Sequence, residues 1–190
     1  MLVVAGDPDL AAPLAEEIDA DLWLGPENGL ASGLPGEIRA VRSMRKWKVV
    51  ILVLGVREIL DRYSTNAEDR GLHLEIFGVP SPKGFFRLYE RDSFRCSLDE
   101  MGTLLSGPNP RPFVMAVPVF HPSPRPREAA RDLNGVLRKW CGEEDFMFLP
   151  EGIFQRGDSV YDDPGAGAVS RLWVETVGAG ISARLDELGA

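Results

Sequence analysis

Histidine and cysteine are scarce in this sequence, and their scarcity limits the chemistry that it can support. Its 190 residues include 2 histidines and 2 cysteines. Cys96 and Cys141 lie far apart, without the Cys-x-x-Cys or Cys/His spacing of a zinc site. No Gly-x-Gly-x-x-Gly segment follows an apolar run, so a dinucleotide-binding fold is not indicated. We therefore expect no disulfide framework, no metal site and no cofactor.

Long hydrophobic runs are also missing. The longest, Val49–Val56, is far shorter than the roughly 20 residues that cross a bilayer as a helix. The N-terminus has no basic segment ahead of an apolar one, because Met1–Ala5 runs directly into the polar stretch at 6–9. These absences predict an intracellular, cytoplasmic protein that does not enter membranes.

Positive charge is absent from residues 1–35, which contain no Lys or Arg. The formal net charge of -8 argues against a protein that coats nucleic acid with its whole surface. The basic residues gather in two stretches: Arg39, Arg42, Arg45, Lys46 and Lys48 in the first, and Arg125, Arg127, Arg131, Arg138 and Lys139 in the second. This asymmetry suggests one basic face, although two helices with solvated outer faces would give the same pattern.

The composition is that of a globular protein, with 44% hydrophobic and 26% charged residues. Short apolar runs alternate with longer amphipathic stretches, as in β-α-β units around a parallel sheet. The predicted strands cover residues 2–5, 21–24, 49–54, 112–120 and 146–149. The pattern predicts a single α/β domain over residues 1–190, a flavodoxin-like three-layer α/β/α sandwich with a five-stranded parallel sheet.

Helices are predicted between these strands and at the end of the chain. In the first helix, Asp9 is the candidate cap, and Leu10, Leu14 and Ile18 share one face. Further helices are predicted at 37–47, 125–140 and 169–188. In the last of them the predicted buried residues are Leu172, Trp173, Val177, Ile181 and Leu185.

The alternation breaks after strand three, where we predict an insertion at about 64–92. Residues 72–77 and 85–89 have the composition of two strands of a hairpin around a turn rich in Pro and Gly. Asp92 or Ser93 is then the candidate cap of a helix that runs to Leu105.

Aromatic side chains are concentrated in this predicted hairpin. So short an insertion cannot bury all of Phe77, Phe85, Phe86 and Tyr89, and aromatic residues on a projecting element are typical interface anchors. The hairpin therefore predicts a protein interface, and pairing of its edge across a two-fold axis would give a homodimer. Packing of the same residues against the edge of strand three is the alternative.

Short motifs follow the predicted strands in a distinctive order. Gly6-Asp7-Pro8 comes directly after strand one, Gly55-Val56-Arg57 after strand three, and Asp162-Asp163-Pro164-Gly165 before the last helix. They resemble the Gly-Asp-Ser, Gly-x-Asn-Asp and Asp-x-x-His blocks of the SGNH (GDSL) hydrolase superfamily. The resemblance covers nearly the whole chain and implies the same five-stranded sheet.

The departures from that resemblance fall on the catalytic positions. The nucleophilic serine corresponds to Pro8, which has neither a hydroxyl nor a backbone N–H. The asparagine that donates to the oxyanion corresponds to Arg57, and no histidine follows His121 to complete the block at Asp162. Because acyl transfer needs a nucleophile, a base and an oxyanion donor, the resemblance implies a degenerate, non-catalytic member.

Two other interpretations concern the same sheet edge. His121 and Ser123 follow strand four, where open α/β sheets place ligands, so a relocated esterase site there is the alternative to inactivity. The first strand with its acidic residues also resembles the start of a response-regulator receiver. A receiver needs an Asp directly after strand three, and Gly55 occupies that place.

A hydrolase fold without its triad points to binding. Animal members of the superfamily that lack the triad include RNA-binding proteins, so the resemblance permits single-stranded RNA as a partner. The candidate phosphate-binding residues are Arg39, Arg42, Arg45, Lys46, Arg57, Arg125 and Arg127. Another protein, bound through the aromatic hairpin, is the competing partner.

Overall fold

Five parallel strands form one sheet in the order β2-β1-β3-β4-β5. The computed structural model describes residues 2–6, 8–24, 38–39, 47–54, 85–107, 110–118, 124–154 and 171–189. The strands are β1 (Leu2–Gly6), β2 (Asp21–Leu24), β3 (Val49–Val53), β4 (Phe113–Val117) and β5 (Met147–Phe148). All neighbouring pairs are parallel, which confirms the predicted α/β class.

Helices cover both faces of the sheet. They are α1 (Pro8–Glu17), α2 (Phe85–Ser106), α3 (Pro124–Glu144) and α4 (Arg171–Leu188), with a 3₁₀ turn at Glu151–Phe154. Crossovers between parallel strands are right-handed, so the reversal of chain direction after β2 places α1 on one face and α2 and α3 on the other. The packing agrees, because α1 contacts α4 and α2 contacts α3.

The centre of the core is β3. All five of its residues are buried, as expected for a strand that is covered by helices on both faces. It pairs with β1 from Leu2↔Val49 to Gly6↔Val53. Its other neighbour is β4, from Val49↔Phe113 to Val53↔Val117. The strand predicted at 49–54 is therefore confirmed.

Helix α1 confirms the predicted apolar face and corrects the predicted cap. Leu10 and Leu14 are buried, and Ile18 packs partly against the core. The helix begins at Pro8, so Asp9 is its second residue and not its cap. Proline is well suited to this first position, because its fixed φ matches the helix and the N–H that it lacks would have no partner there.

Helix α3 ends in a Schellman motif that fixes the start of β5. Asp145 adopts a φ of 56°, and the N–H of Phe146 donates to the carbonyl of Cys141 at 2.8 Å. The Phe146 ring meets the buried ring of Trp140 edge-on, with 5.2 Å between the centroids. Asp19, with a φ of 50°, ends α1 in the same way.

The prediction of a second hairpin strand at residues 85–89 is wrong. Residues 85–89 are helical, and α2 begins at Phe85 rather than at Asp92 or Ser93. The first hairpin strand, 72–77, lies outside the described residues. Phe85, Leu88 and Tyr89 recur at i, i+3 and i+4, as on a helix face, whereas in a strand Leu88 would lie on the opposite face from the other two. No Pro or Gly separates them from the amphipathic stretch that follows.

The remaining helices agree with the predictions where they are described. The helices predicted at 125–140 and 169–188 correspond to α3 and α4, and Trp173, Val177 and Ile181 are buried in α4 as predicted. In the predicted basic helix at 37–47, residues 38–39 are helical and Trp47 is not. Residues 40–46 lie outside the described part of the chain.

Candidate functional site

The candidate site lies where β1 and β3 end. The chain leaves β1 toward β2 on one side, and β3 pairs with β1 on the other. In open α/β sheets, this change of direction opens a crevice at the carboxyl ends of the strands, and ligands bind there. The residues that the structure describes at this point are Gly6, Pro8 and Leu54.

Gly6 brings the backbones of β1 and β3 into close contact at the crevice. Its φ is 144°, a conformation that residues with a side chain rarely adopt. A Cβ atom at this position would lie 2.0 Å from the carbonyl oxygen of Val53. Only glycine therefore fits here without moving the end of β3. The sequence analysis placed Gly6 in a motif, but the close contact between Gly6 and the Val53 carbonyl could not be predicted from the sequence.

Pro8 stands at the first position of α1, two residues beyond the end of β1. This is the place in the chain where the SGNH resemblance puts the nucleophilic serine. Proline offers neither a hydroxyl nor a backbone N–H to a substrate bound at the crevice. The other two degenerate positions, Arg57 and Asp162, lie outside the described residues, as do His121 and Ser123.

Two members of the first basic stretch are described, exposed Lys48 and Arg39, and Arg39 is paired. Its guanidinium forms an ion pair with the carboxylate of Glu100 on α2, and its neighbour Ile38 is buried. These contacts attach the segment around residues 38–39 to α2. The other members of the predicted stripe, Arg42, Arg45 and Lys46, lie outside the described residues, so their predicted role stays untested.

The second basic stretch lies on α3, where Arg138 and Lys139 are paired and exposed Arg131 forms no ion pair with a described residue. Arg138 forms an ion pair with Glu151 and lies over the ring of Phe148, with 5.3 Å between its guanidinium carbon and the ring centroid. Lys139 lies 3.8 Å from the carboxylate of Glu143. Arg125 and Arg127 belong to the first turns of the helix, but their side chains are not among those described.

A charge network that also includes Lys139 joins α2 to α3. Arg95 donates to Asp99 at 2.8 Å and also pairs with Glu143. The hydrogen bond to Glu143 is the largest of the effects that raise the pKa of Arg95. In turn, that hydrogen bond lowers the pKa of the Glu143 carboxyl. The i,i+4 spacing of Arg95 and Asp99 could have indicated their pairing, but the contact between the two helices could not be read from the sequence.

The acidic side chains around the start of β2 form no comparable ion pairs with described residues. Glu16, Glu17, Asp19 and Asp21 are exposed. They form no ion pair within the parts of the chain that the structure describes. The corner between α1 and β2 therefore carries a cluster of four carboxylates that no described cation neutralises.

The aromatic residues predicted as interface anchors are only partly described. Phe85, Phe86 and Tyr89 lie in the first turns of α2, where a hairpin strand was predicted. Phe77 lies outside the described residues. Placement on a helix changes their spacing from alternation to a period of 3.6 residues, so any interface that they form would be helical.

The described residues also bear on metal binding and on membrane insertion, neither of which the sequence predicts. No group of three or more metal-ligating side chains occurs among them. None of the helices within the described ranges is long and apolar enough to cross a membrane.

Solved structures resemble the chain over nearly its whole length. The α/β hydrolase LAE5, from the metagenome of Lake Arreo in Spain, superimposes with a TM-score of 0.65 at 12% identity, over 96% of this chain and 93% of the hydrolase. A catalytic mutant of the acetylxylan esterase Axe2 from Geobacillus stearothermophilus gives 0.57 at 12%, over 99% and 93%. A lipolytic G-D-S-L protein from Veillonella parvula DSM 2008 gives 0.53 at 10%, over 94% and 94%.

Comparisons at the level of sequence found no counterpart. No protein-family profile matches the chain, and no curated protein resembles it. Identities of 10–12% to solved structures therefore establish the fold alone. That fold is the SGNH hydrolase-like fold that the motifs of the chain resemble.

Proposed function

We propose that this chain, whose fold is that of SGNH-type hydrolases, binds a partner without catalysing acyl transfer. The observation that supports this proposal most strongly is Pro8 at the start of α1, at the carboxyl edge of the sheet. This is the position at which the family resemblance puts the nucleophilic serine. Proline has no atom that can attack a carbonyl carbon, because its side chain is a saturated ring.

The other catalytic roles lack suitable residues in the sequence. An oxyanion needs hydrogen-bond donors held around it, and the residue in the place of the family's asparagine is Arg57, a flexible cation. A base is needed to take the proton from the nucleophile, and no histidine follows His121. Loss of nucleophile, donor and base together supports a role in binding.

The charge pattern favours a protein partner over RNA. Six described cations pair with carboxylates of the same chain: Arg39, Arg95, Arg138, Lys139, Arg171 and Arg184. Exposed Lys48 and Arg131 form no ion pair with a described residue. A phosphate backbone would have to displace those carboxylates, and the net charge of -8 would oppose its approach.

Hydrolysis of short acyl esters tests the non-catalytic half of the proposal. We expect p-nitrophenyl acetate and butyrate to be hydrolysed by the purified protein no faster than by an equal amount of heat-denatured protein. Ser123→Ala and His121→Ala serve as matched controls. Turnover that disappears in either variant would establish a relocated esterase site and overturn the proposal.

Titration with a fluorescent single-stranded RNA tests the choice of partner. We expect no binding at 50 mM salt in the micromolar range, where a protein that neutralises several phosphates would still bind (about 10⁻⁶ M or tighter at low salt). Binding that weakens steeply with salt and is lost in the Arg42→Glu, Arg45→Glu double variant would instead establish the predicted basic stripe.

A further inference from the structure

In the sheet that the structure describes, the outer edge of β2 has no strand beside it. Among the strands that the structure describes, β2 is terminal and pairs only with β1. The backbone groups that point away from β1 therefore have no strand partner in the described sheet. An edge of this kind is the site at which an extended peptide adds to a sheet, with the main chain supplying the hydrogen bonds.

Both faces of this edge are exposed at its first two residues. Asp21 and Leu22 are neighbours in a strand, so their side chains point to opposite faces of the sheet. Both are exposed, and Leu22, with 40% of its surface accessible, is one of two large hydrophobic side chains exposed among the described residues. The helical layers therefore leave the start of β2 accessible from above and below.

The negative charge around this edge favours a basic partner. Glu16, Glu17, Asp19 and Asp21 surround the start of β2, and none pairs with a cation of the described chain. A second copy of the chain would bring the same carboxylates against one another, at a net charge of -8 for each copy. Repulsion between like charges opposes that pairing, whereas a basic segment gains from the same carboxylates.

We propose that the outer edge of β2 binds an extended, basic segment of a partner protein by strand addition. Backbone hydrogen bonds to residues 21–24 set the register of the segment. Every second residue of the segment is apolar, and one of these side chains contacts Leu22. The carboxylates attract the Lys or Arg side chains of the segment. This inference rests on the proposed role in binding and assigns it a surface distinct from the crevice between β1 and β3.

A synthetic peptide of alternating Lys and Val, blocked at both ends, is the probe for this edge. We expect calorimetric titration at 50 mM salt to give a Kd of about 0.1–1 mM, since only a short strand pairs. Amide hydrogen exchange of residues 21–24 should slow in the presence of the peptide, because strand pairing protects edge amides.

Two variants and one modified peptide control for non-specific attraction. These variants are compared at 150 mM salt, where the Debye length is about 8 Å. Asp21→Lys should weaken binding at least about fivefold there. Asp186→Lys, which changes the net charge equally, should weaken it less than about twofold, because Asp186 lies about 12 Å along α4 from the Gly178 contact with Glu17. The same peptide with N-methylated valines should not bind, since it cannot form the ladder.

Three results would overturn the inference: no binding of the Lys-Val peptide, equal weakening by the two variants, or binding without protection of residues 21–24. None of these would change the outcome of the ester assay, which reports on the crevice. Conversely, ester turnover would overturn the non-catalytic proposal and leave the peptide result unaffected, so the two failures are distinguishable.

Discussion

Replacement of Gly6 by alanine should destabilise the whole domain, because an added side chain would collide with the end of β3. Its φ of 144° belongs to a region that only glycine populates freely, and holding another residue there costs about 1–3 kcal/mol. The added Cβ would also lie 2.0 Å from the Val53 carbonyl oxygen. Relief of that overlap requires a shift of β3 in the centre of the core, at a cost of about 1–3 kcal/mol.

Together these effects predict a loss of at least about 3 kcal/mol, against a total stability of about 5–15 kcal/mol for a domain. Urea denaturation followed by tryptophan fluorescence measures this loss. With a slope of about 2–3 kcal/mol per molar, the midpoint should fall by about 1 M or more.

Gly135 provides the matched control. It lies exposed on α3, and a Cβ there would have no heavy atom within 4 Å. Gly135→Ala should raise the stability by about 0.5–1 kcal/mol, because alanine is the better helix former. A midpoint for Gly6→Ala within the error of the unsubstituted protein would refute the close approach of β1 and β3, and with it the geometry of the crevice.

Three further predictions follow from contacts away from the crevice. Asp145→Gly should stabilise the protein by about 0.5–1 kcal/mol in the same urea titration, since glycine adopts a φ of 56° without steric cost; a loss of stability would contradict the Schellman motif. The lowered pKa of Glu143 beside Arg95 adds stability that is present above the ordinary pKa of 4.5 and is lost as the pH falls through the lower folded value. Thermal melts of Glu143→Gln should therefore decline less steeply below about pH 4.5 than those of the unsubstituted protein, and identical pH profiles would rule out the pairing. Burial raises the pKa of the Cys141 thiol to about 12, so a thiol reagent at pH 8 should modify exposed Cys96 rapidly and Cys141 only on unfolding, as peptide mass mapping would reveal; equal rates in the folded protein would contradict the burial.

Local sequence patterns were sufficient to predict the sheet. The continuous apolar run of β3 is long enough for a strand and too short for a helix, and its burial on both faces follows from its composition. The place of Pro8 was also predictable, because β1 ends at Gly6, two residues before it. The position of the site could thus be predicted because it depends on features within single strands and on the turn that follows β1.

Predictions failed where composition outweighed spacing or where distant segments meet. The aromatic composition of residues 85–89 favoured a strand, although Phe85, Leu88 and Tyr89 have the i, i+3, i+4 spacing of a helix face, so the first turns of α2 were assigned to a hairpin. Arg39 and Glu100 are 61 residues apart, and nothing local indicates their pairing. The unbalanced acids at the start of β2 were visible as composition, but their position at an open edge required the strand order.

The most direct test of the non-catalytic account is covalent labelling of a nucleophilic serine. A fluorophosphonate probe reacts with serines that an adjacent base has activated, and intact-protein mass spectrometry then shows one added phosphonyl group. Our account predicts no adduct on the native protein, even after prolonged incubation with excess probe. A single adduct that forms only on the folded protein and maps to one serine would contradict it and establish a working hydrolase.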